Sequence, residues 1–285
     1  MPTAPSDLSR RVPRAAAGRY AMLAKLAETT AVAVGRRIQV DDVAIVTRKR
    51  GRANFATAAD HAAEAEIIRR LRAHDRTIPI LAEESADRTL RSAERLWVVD
   101  PLDGTLNFSR AIPFYCVAIG YVEDGMVRAA AIHAPRTNET FAANEGGGAT
   151  LNGVPISVSK VARASEAFTV TSLAFRAASN KSSRFVALNS VVSRLRVIGS
   201  AALEISYVAC GKVDLFVHEG LSPWDIAAAQ LIAREAGAVV RSLKTGADAT
   251  WDEPQVVIGN PKVVTDLLAK LPALVHPPSA LNKHQ

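Results

Sequence analysis

Leu96-Trp97-Val98-Val99-Asp100-Pro101-Leu102-Asp103-Gly104-Thr105-Leu106-Asn107-Phe108 opens as an apolar run and ends in two acids around a glycine turn. A short, fully apolar run of this kind reads as a buried strand that delivers Asp100 to its carboxyl edge. Pro101 is expected to stop the ladder there, and Gly104 to permit a tight turn. Asp100 and Asp103 then stand close enough across the turn to reach one metal ion or two adjacent ones. If a helical turn starts at Gly104 and Thr105, their amides point outward as anion donors, so metal and phosphate would share one pocket.

Asp-Pro-Leu-Asp-Gly is also ordinary turn composition. A second cluster decides between the two readings. Ile78-Pro-Ile-Leu-Ala82 is another short apolar run, and it ends in Glu83-Glu84-Ser85. Two strands that both finish in acids would repel one another at neutral pH, and a divalent hard cation among them removes the conflict. A third piece lies at Ser222-Pro-Trp-Asp225, followed by a helical pattern that stops at Gly237. Ser222 fits the N-cap, Pro223 the first helical position and Gly237 the stop. Asp225 falls in the first turn, where an acid also complements the helix dipole.

Together the three pieces resemble the inositol monophosphatase family of Mg²⁺-dependent, lithium-sensitive phosphatases. The resemblance rests on Ala82-Glu-Glu-Ser85, Asp100-Pro-Leu-Asp-Gly-Thr-Leu-Asn-Phe108 and Trp224-Asp225 in that order, with support from Leu151-Asn-Gly-Val-Pro155 and Gly199-Ser-Ala-Ala202. It implies an α/β fold, a layered αβαβα sandwich, and two or three Mg²⁺ ions per site. By similarity Glu83, Asp100 and the carbonyl of Leu102 hold a first ion, Asp100, Asp103 and Asp225 a second, and Glu83 helps bind a third. Thr105 and Asp60, the latter in Thr57-Ala-Ala-Asp60, match a pair that activates the attacking water, with Glu83 beside them. Asp60 also reads as a cap for the amphipathic stretch that it opens. Gly104, Thr105, Ala201, His218 and Lys49 match substrate-side positions.

The chemistry is coherent with these roles. Two cations flanking a phosphoryl group stabilise both attacking and leaving oxygens and ease deprotonation of water, so no Ser, Cys or His nucleophile is required. No phosphate-binding Gly-x-x-x-x-Gly-Lys loop, Gly-x-Ser-x-Gly elbow or His-Glu-x-x-His motif is present. Gly146-Gly-Gly148 reads as a hairpin turn, and the six histidines lack metal-ligand spacing.

With 285 residues, 48% hydrophobic and 22% charged, the chain can bury a large core as one domain or two closely packed halves. The expected organisation is a basic extension over 1–19, an α+β half over 20–157 carrying the metal motifs, an α/β half over 158–272 and a loose tail over 273–285. Helical patterns cover 15–34 and 59–73, and short runs from 113 to 157 read as an antiparallel set. Beyond these, helices at 184–193, 200–210 and 223–236 alternate with strands at 195–198, 213–217 and 238–241.

Two cysteines far apart, Cys116 and Cys210, read as buried thiols in a reducing, cytoplasmic compartment. No apolar run approaches the ~20 residues that span a bilayer, and no signal-peptide core follows the start. The net charge is +7, part of it in Arg48-Lys-Arg-Gly-Arg52, which could steer a phosphate inward or form a solvated loop. Nucleic-acid binding is not expected, because the basic residues lack interleaved aromatics. The expected partners are a small phosphorylated substrate and a second copy of the chain.

Substrate identity is less determined. His218 stands where inositol-preferring enzymes of the family carry a sugar-binding glutamate, and Asn54 replaces a common acid. Asp-Gly-Thr-Leu-Asn-Phe108 is nearer the inositol branch than the bisphosphate nucleotidases. An inositol monophosphate is therefore the first expectation. Fructose 1,6-bisphosphate, histidinol phosphate and 3'(2'),5'-bisphosphate nucleotides are alternatives, as is a regulatory binding protein on the same fold.

Overall fold

The computed structural model describes residues 14–38, 45–48, 55–173 and 181–274. In chain order the first elements are α1 (Arg14–Ile38), β1 (Ile45–Arg48), β2 (Phe55–Thr57), α2 (Ala58–His74), β3 (Ile80–Ala82), β4 (Arg95–Asp103) and α3 (Thr105–Ser109). A meander follows through β5 (Cys116–Glu123), β6 (Met126–Ala134), β7 (Glu139–Asn144), β8 (Gly148–Leu151) and β9 (Val154–Pro155). Alternation then sets in with β10 (Phe168–Thr171), α4 (Lys181–Val191), β11 (Arg194–Arg196), α5 (Ala201–Ala209), β12 (Leu215–Glu219) and α6 (Pro223–Glu235). The last elements are β13 (Val239–Ser242), β14 (Gln255–Gly259) and α7 (Pro261–Lys270).

Strands β3 to β9 form one sheet in sequence order, with β3 parallel to β4 and the others antiparallel. A second sheet has the order β11-β10-β12-β14-β13, and its β11, β10 and β12 run parallel. Because side chains alternate across a strand, each sheet feeds two cores. Trp97 and Val99 of β4 join Val117 and Ile119 of β5 beneath α1 and α2. Leu96, Val98 and Ala118 face the other way, onto α5 and α6, where Val170, Phe216 and Ile258 of the second sheet complete the same core. Leu215, Val217 and Val257 turn to the far side and meet Leu188 of α4 and Val263 and Leu267 of α7. The layers are therefore αβαβα, as the motifs implied. Observed boundaries differ from the sequence reading by a few residues at element ends, where hydrogen-bond ladders fray. Among the described residues no helix is long and apolar enough to cross a membrane.

One expectation needs correction. Pro101 does not end β4, which continues to Asp103. Asp100 pairs with Ala118 and Asp103 with Cys116, so three steps along β4 match two along β5. Pro101 sits within this bulge, where the missing N–H costs no ladder bond. The extra residue reverses the alternation: Leu102 packs under α1 and α2 with Trp97 and Val99, while Asp103 joins Asp100 on the opposite face.

The middle layer is built to lie close to the first sheet. Ala227, Ala228 and Ala229 of α6 are all buried, and a Cβ added at Gly120 of β5 would stand 3.1 Å from the Ala228 nitrogen and 3.3 Å from its Cα. Gly120→Ala should therefore push α6 away and lower stability by about 1–3 kcal/mol, the usual cost of overpacking. Urea unfolding measures this, and an unchanged midpoint would mean that α6 does not bear on β5.

Candidate active site

Three elements converge on one cleft because of how each begins or ends. The parallel register of β3 and β4 pairs Ala82 with Val99, and the Glu83 amide donates to the Val99 carbonyl at 3.2 Å. Glu83, just past the end of β3, and Asp100, within β4, thus stand side by side. Asp103 follows on the same face through the bulge. Gly104 then turns the chain with φ +98, and a Cβ there would meet the Phe114 carbonyl oxygen at 3.0 Å and Tyr115 Cβ at 3.1 Å, so only glycine fits. Helix α3 starts at once at Thr105.

Asp225 arrives from the other side. It is the third residue of α6, and its Oδ2 accepts the Ser222 amide at 2.7 Å, closing the helix start. One carboxylate oxygen from each of Asp100, Asp103 and Asp225 lies within 4.8 Å of the others. Asp100 is held well above the usual carboxylate range, first by burial and then by the charges of Glu83, Asp103 and Asp225. Burial raises Asp103 as well, against the opposing pull of the Ser200 hydroxyl and the amides of the first turn of α5. Ser200 Oγ and the Ala202 amide both donate to Asp103 Oδ2 at 2.7 Å. An all-oxygen set of clustered acids is donor chemistry that suits a hard divalent cation.

Asp60 repeats the logic of Asp225. It is the third residue of α2, where its Oδ2 accepts from the Thr57 amide at 2.7 Å and the Thr57 hydroxyl at 2.5 Å. Its Oδ1 accepts the Thr105 hydroxyl at 3.0 Å, across 45 residues of sequence. The same hydroxyl lies 3.1 Å from the Leu102 carbonyl oxygen, and the Leu102 amide donates to Asp100 Oδ1 at 3.0 Å. Thr105, Asp60, Leu102 and Asp100 therefore form one connected cluster.

A cleft of about 230 Å³ opens on Asp103 and Asp225 and is lined further by Ser172, Val197, Ala201, Glu204 and His218. Ser172, Val197 and His218 come from the carboxyl ends of the parallel strands β10, β11 and β12, where open α/β sheets bind ligands. Ala201 opens α5 at the cleft. His218 stacks on Phe216, with ring centres 5.4 Å apart and planes at 14°. Burial lowers its pKa to about 4, so the ring is neutral at physiological pH, and its buried Nδ1 has no hydrogen-bond partner among the described residues. Lys49 and Asn54 lie outside the described residues.

Other contributors were not singled out from sequence. Glu64, one turn after Asp60 on α2, accepts the Glu84 amide at 2.8 Å and so anchors the Glu83-Glu84 turn. Its spacing of four from Asp60 is a signal that they share a helix face. Asn107 Nδ2 donates at 2.8 Å to both the Phe114 and the Ile198 carbonyl oxygens. Glu204 is the single charged residue in the largely apolar Ala201–Ala209 helix, and that isolation was its only clue.

The model of the inositol monophosphatase family matches residues 15–274. The chain is 38% identical over 226 residues to an inositol monophosphatase of Dictyostelium discoideum, covering 76% of this chain and 82% of that protein. It is 36% identical over 231 residues to the Nus factor SuhB of Escherichia coli K12, covering 80% and 86% respectively. An inositol monophosphatase structure from Anabaena superposes with a TM-score of 0.79 at 32% identity, over 89% of this chain and 96% of that one. With the matched region reaching from the start of α1 to the last described turn, the chain belongs to the inositol monophosphatase family.

Proposed function

We propose that the chain is a Mg²⁺-dependent phosphomonoesterase acting on a small polyol or sugar phosphate, with an inositol monophosphate first among them. The observation that supports this most is the convergence of Asp100, Asp103 and Asp225 within 4.8 Å beside the Thr105–Asp60 pair. Glu83, Asp100, the Leu102 carbonyl, Asp103 and Asp225 would hold two or three Mg²⁺ ions. When bound, these ions neutralise the phosphoryl oxygens and make water a stronger acid.

The protein's own groups do the positioning. Thr105 donates a hydrogen bond to Asp60 Oδ1, which leaves the lone pairs of the hydroxyl oxygen to accept from and orient the attacking water. Asp60 stays fixed because the start of α2 holds its other oxygen. On this reading the amides of Gly104, Thr105 and Ala201 would meet the phosphate and Lys49 would add positive charge. His218 meets the leaving alcohol, where a neutral ring can donate to or accept from a hydroxyl. The same reading takes the chain as a cytoplasmic homodimer. The thiols of Cys116 and Cys210, both free, are compatible with a reducing compartment.

Names borne by relatives favour a second reading, a regulatory binding protein, since several are called Nus factor SuhB. A substrate panel with Mg²⁺ separates the two. Turnover of inositol monophosphate, fructose 1,6-bisphosphate, histidinol phosphate or a 3'(2'),5'-bisphosphate nucleotide supports the phosphatase, and excess chelator should abolish it. Inactivity towards all of them favours the binding protein.

Metal should also stabilise in a pH-dependent way. Asp100 and Asp103 hold their protons more tightly in the folded chain than in the unfolded one. The metal-free protein therefore loses stability as pH rises from about 4, the ordinary carboxylate value, through the raised folded values. Mg²⁺ displaces those protons, so it should raise Tm more at pH 8 than at pH 5. Equal shifts at both would contradict the assignment.

Thr105→Ala should cut kcat by ~10²-fold or more, the scale of lost proton-transfer assistance, with a smaller change in KM. Near-normal kcat would remove Thr105 and Asp60 from the water-activating role. His218→Glu should move relative kcat/KM several-fold towards myo-inositol 1-phosphate, as one hydrogen bond worth roughly 0.5–1.5 kcal/mol allows. Identical substrate ratios in a competition assay would exclude His218 from leaving-group recognition.

A further inference from the structure

Between β11 and α5 the chain runs through Ile198, Gly199 and Ser200, and this short turn carries more hydrogen bonds to side chains than its length suggests. Its two leading amides, of Ile198 and Gly199, both donate to Glu204 Oε1 at 2.9 Å. The Ile198 carbonyl accepts from Asn107 Nδ2 at 2.8 Å. Gly199 has φ +95, and a Cβ there would approach Asn107 Nδ2 to 3.3 Å. The turn is thus gripped by Glu204 on one side and by Asn107, two residues after Thr105, on the other.

What leaves this turn is aimed at Asp103. The Ser200 hydroxyl and the Ala202 amide converge on Asp103 Oδ2, so the turn fixes one oxygen of a carboxylate in the acid cluster. Glu204 itself is 3% exposed and lies on the wall of the cleft. Burial without a cation partner is costly for a carboxyl group, and a side chain that served only packing would be apolar here like its neighbours in α5. Two amides at hydrogen-bond distance on one oxygen account for its presence.

We propose that Glu204 is a positioning residue that sets Asp103 for metal binding, by holding the Ile198–Ser200 turn so that Ser200 and the first turn of α5 meet the carboxylate. This rests on the proposed metal site, but its requirement is for an acceptor atom rather than a charge. Glu204→Gln keeps a carbonyl oxygen in place, and Glu204→Ala removes it. The second grip provides an independent variant, Asn107→Ala.

The test is a Mg²⁺ titration of the full chain followed by the rise in Tm, with turnover of the best panel substrate measured alongside. Glu204→Ala should raise the Mg²⁺ concentration at the midpoint about tenfold, the lower range for loss of a group that orients a metal ligand. Glu204→Gln should stay within about twofold of wild type on the same principle. Leu267→Ala in the distant α7 core should lower Tm without moving the midpoint. If Glu204→Ala does not fold, Asn107→Ala should show the same midpoint shift, with Glu204→Gln near wild type. An unmoved midpoint in the folded variant, a Gln variant as impaired as Ala, or an equal shift in Leu267→Ala would overturn the proposal. A wild type that responds to Mg²⁺ in this pattern yet turns over no phosphomonoester would sink the phosphatase reading and keep the positioning role.

Discussion

Like charges brought together out of water are the constraint around which this molecule is organised. Asp100, Asp103 and Asp225 would separate if the chain were free to let them, and burial makes their repulsion harder to screen. Each is held against that tendency by backbone. The bulge in β4 keeps Asp100 and Asp103 on one face, amides and a hydroxyl at the start of α5 grip Asp103, and Ser222 at the start of α6 grips Asp225. The large apolar core shared by both sheets supplies the stability that such a cluster draws on. Strongly perturbed carboxyl groups gathered in a cleft are what a functional site of this chemistry requires.

Helix capping and the proposed chemistry draw on the same residues. Asp60 and Asp225 occupy equivalent third positions of α2 and α6, and each gives one oxygen to its own helix start. For Asp60 the second oxygen receives Thr105. A cap and a reactive carboxylate are therefore compatible readings of one acid, because a carboxylate has two oxygens and the cap needs only one. The cap also makes the side chain rigid, which a positioned hydroxyl or cation demands.

Much of this was legible before any coordinates. The strand that leads to Glu83, the Gly104 turn and the punctuation of α6 by Ser222, Pro223 and Gly237 rest on local rules that tertiary packing did not override. The αβαβα layering came from the family resemblance that the motifs carry, since alternation alone leaves the pairing of strands open. Pro101 misled because proline is a breaker only where its N–H is needed, and a bulge relieves that need. Glu64, Asn107, Ser200 and Glu204 were missed for a common reason. Each bonds a partner remote in sequence, 84 residues from Ser200 to Cys116 and 91 from Asn107 to Ile198, or bonds backbone, which has no side-chain signature.

The two sheets carry different burdens. Asp100, Asp103 and Thr105 ride on the first sheet, and α6, which brings Asp225, packs along β4 to β8 of that same sheet. Ser172, Val197 and His218 stand instead at strand ends of the second. Side chains that only line that rim, such as Ser172 and His218, can therefore change with less strain on the acids than the Ile198–Ser200 turn, which grips Asp103. On the proposed reading, a taste for new alcohols can thus drift while the acid cluster is inherited intact.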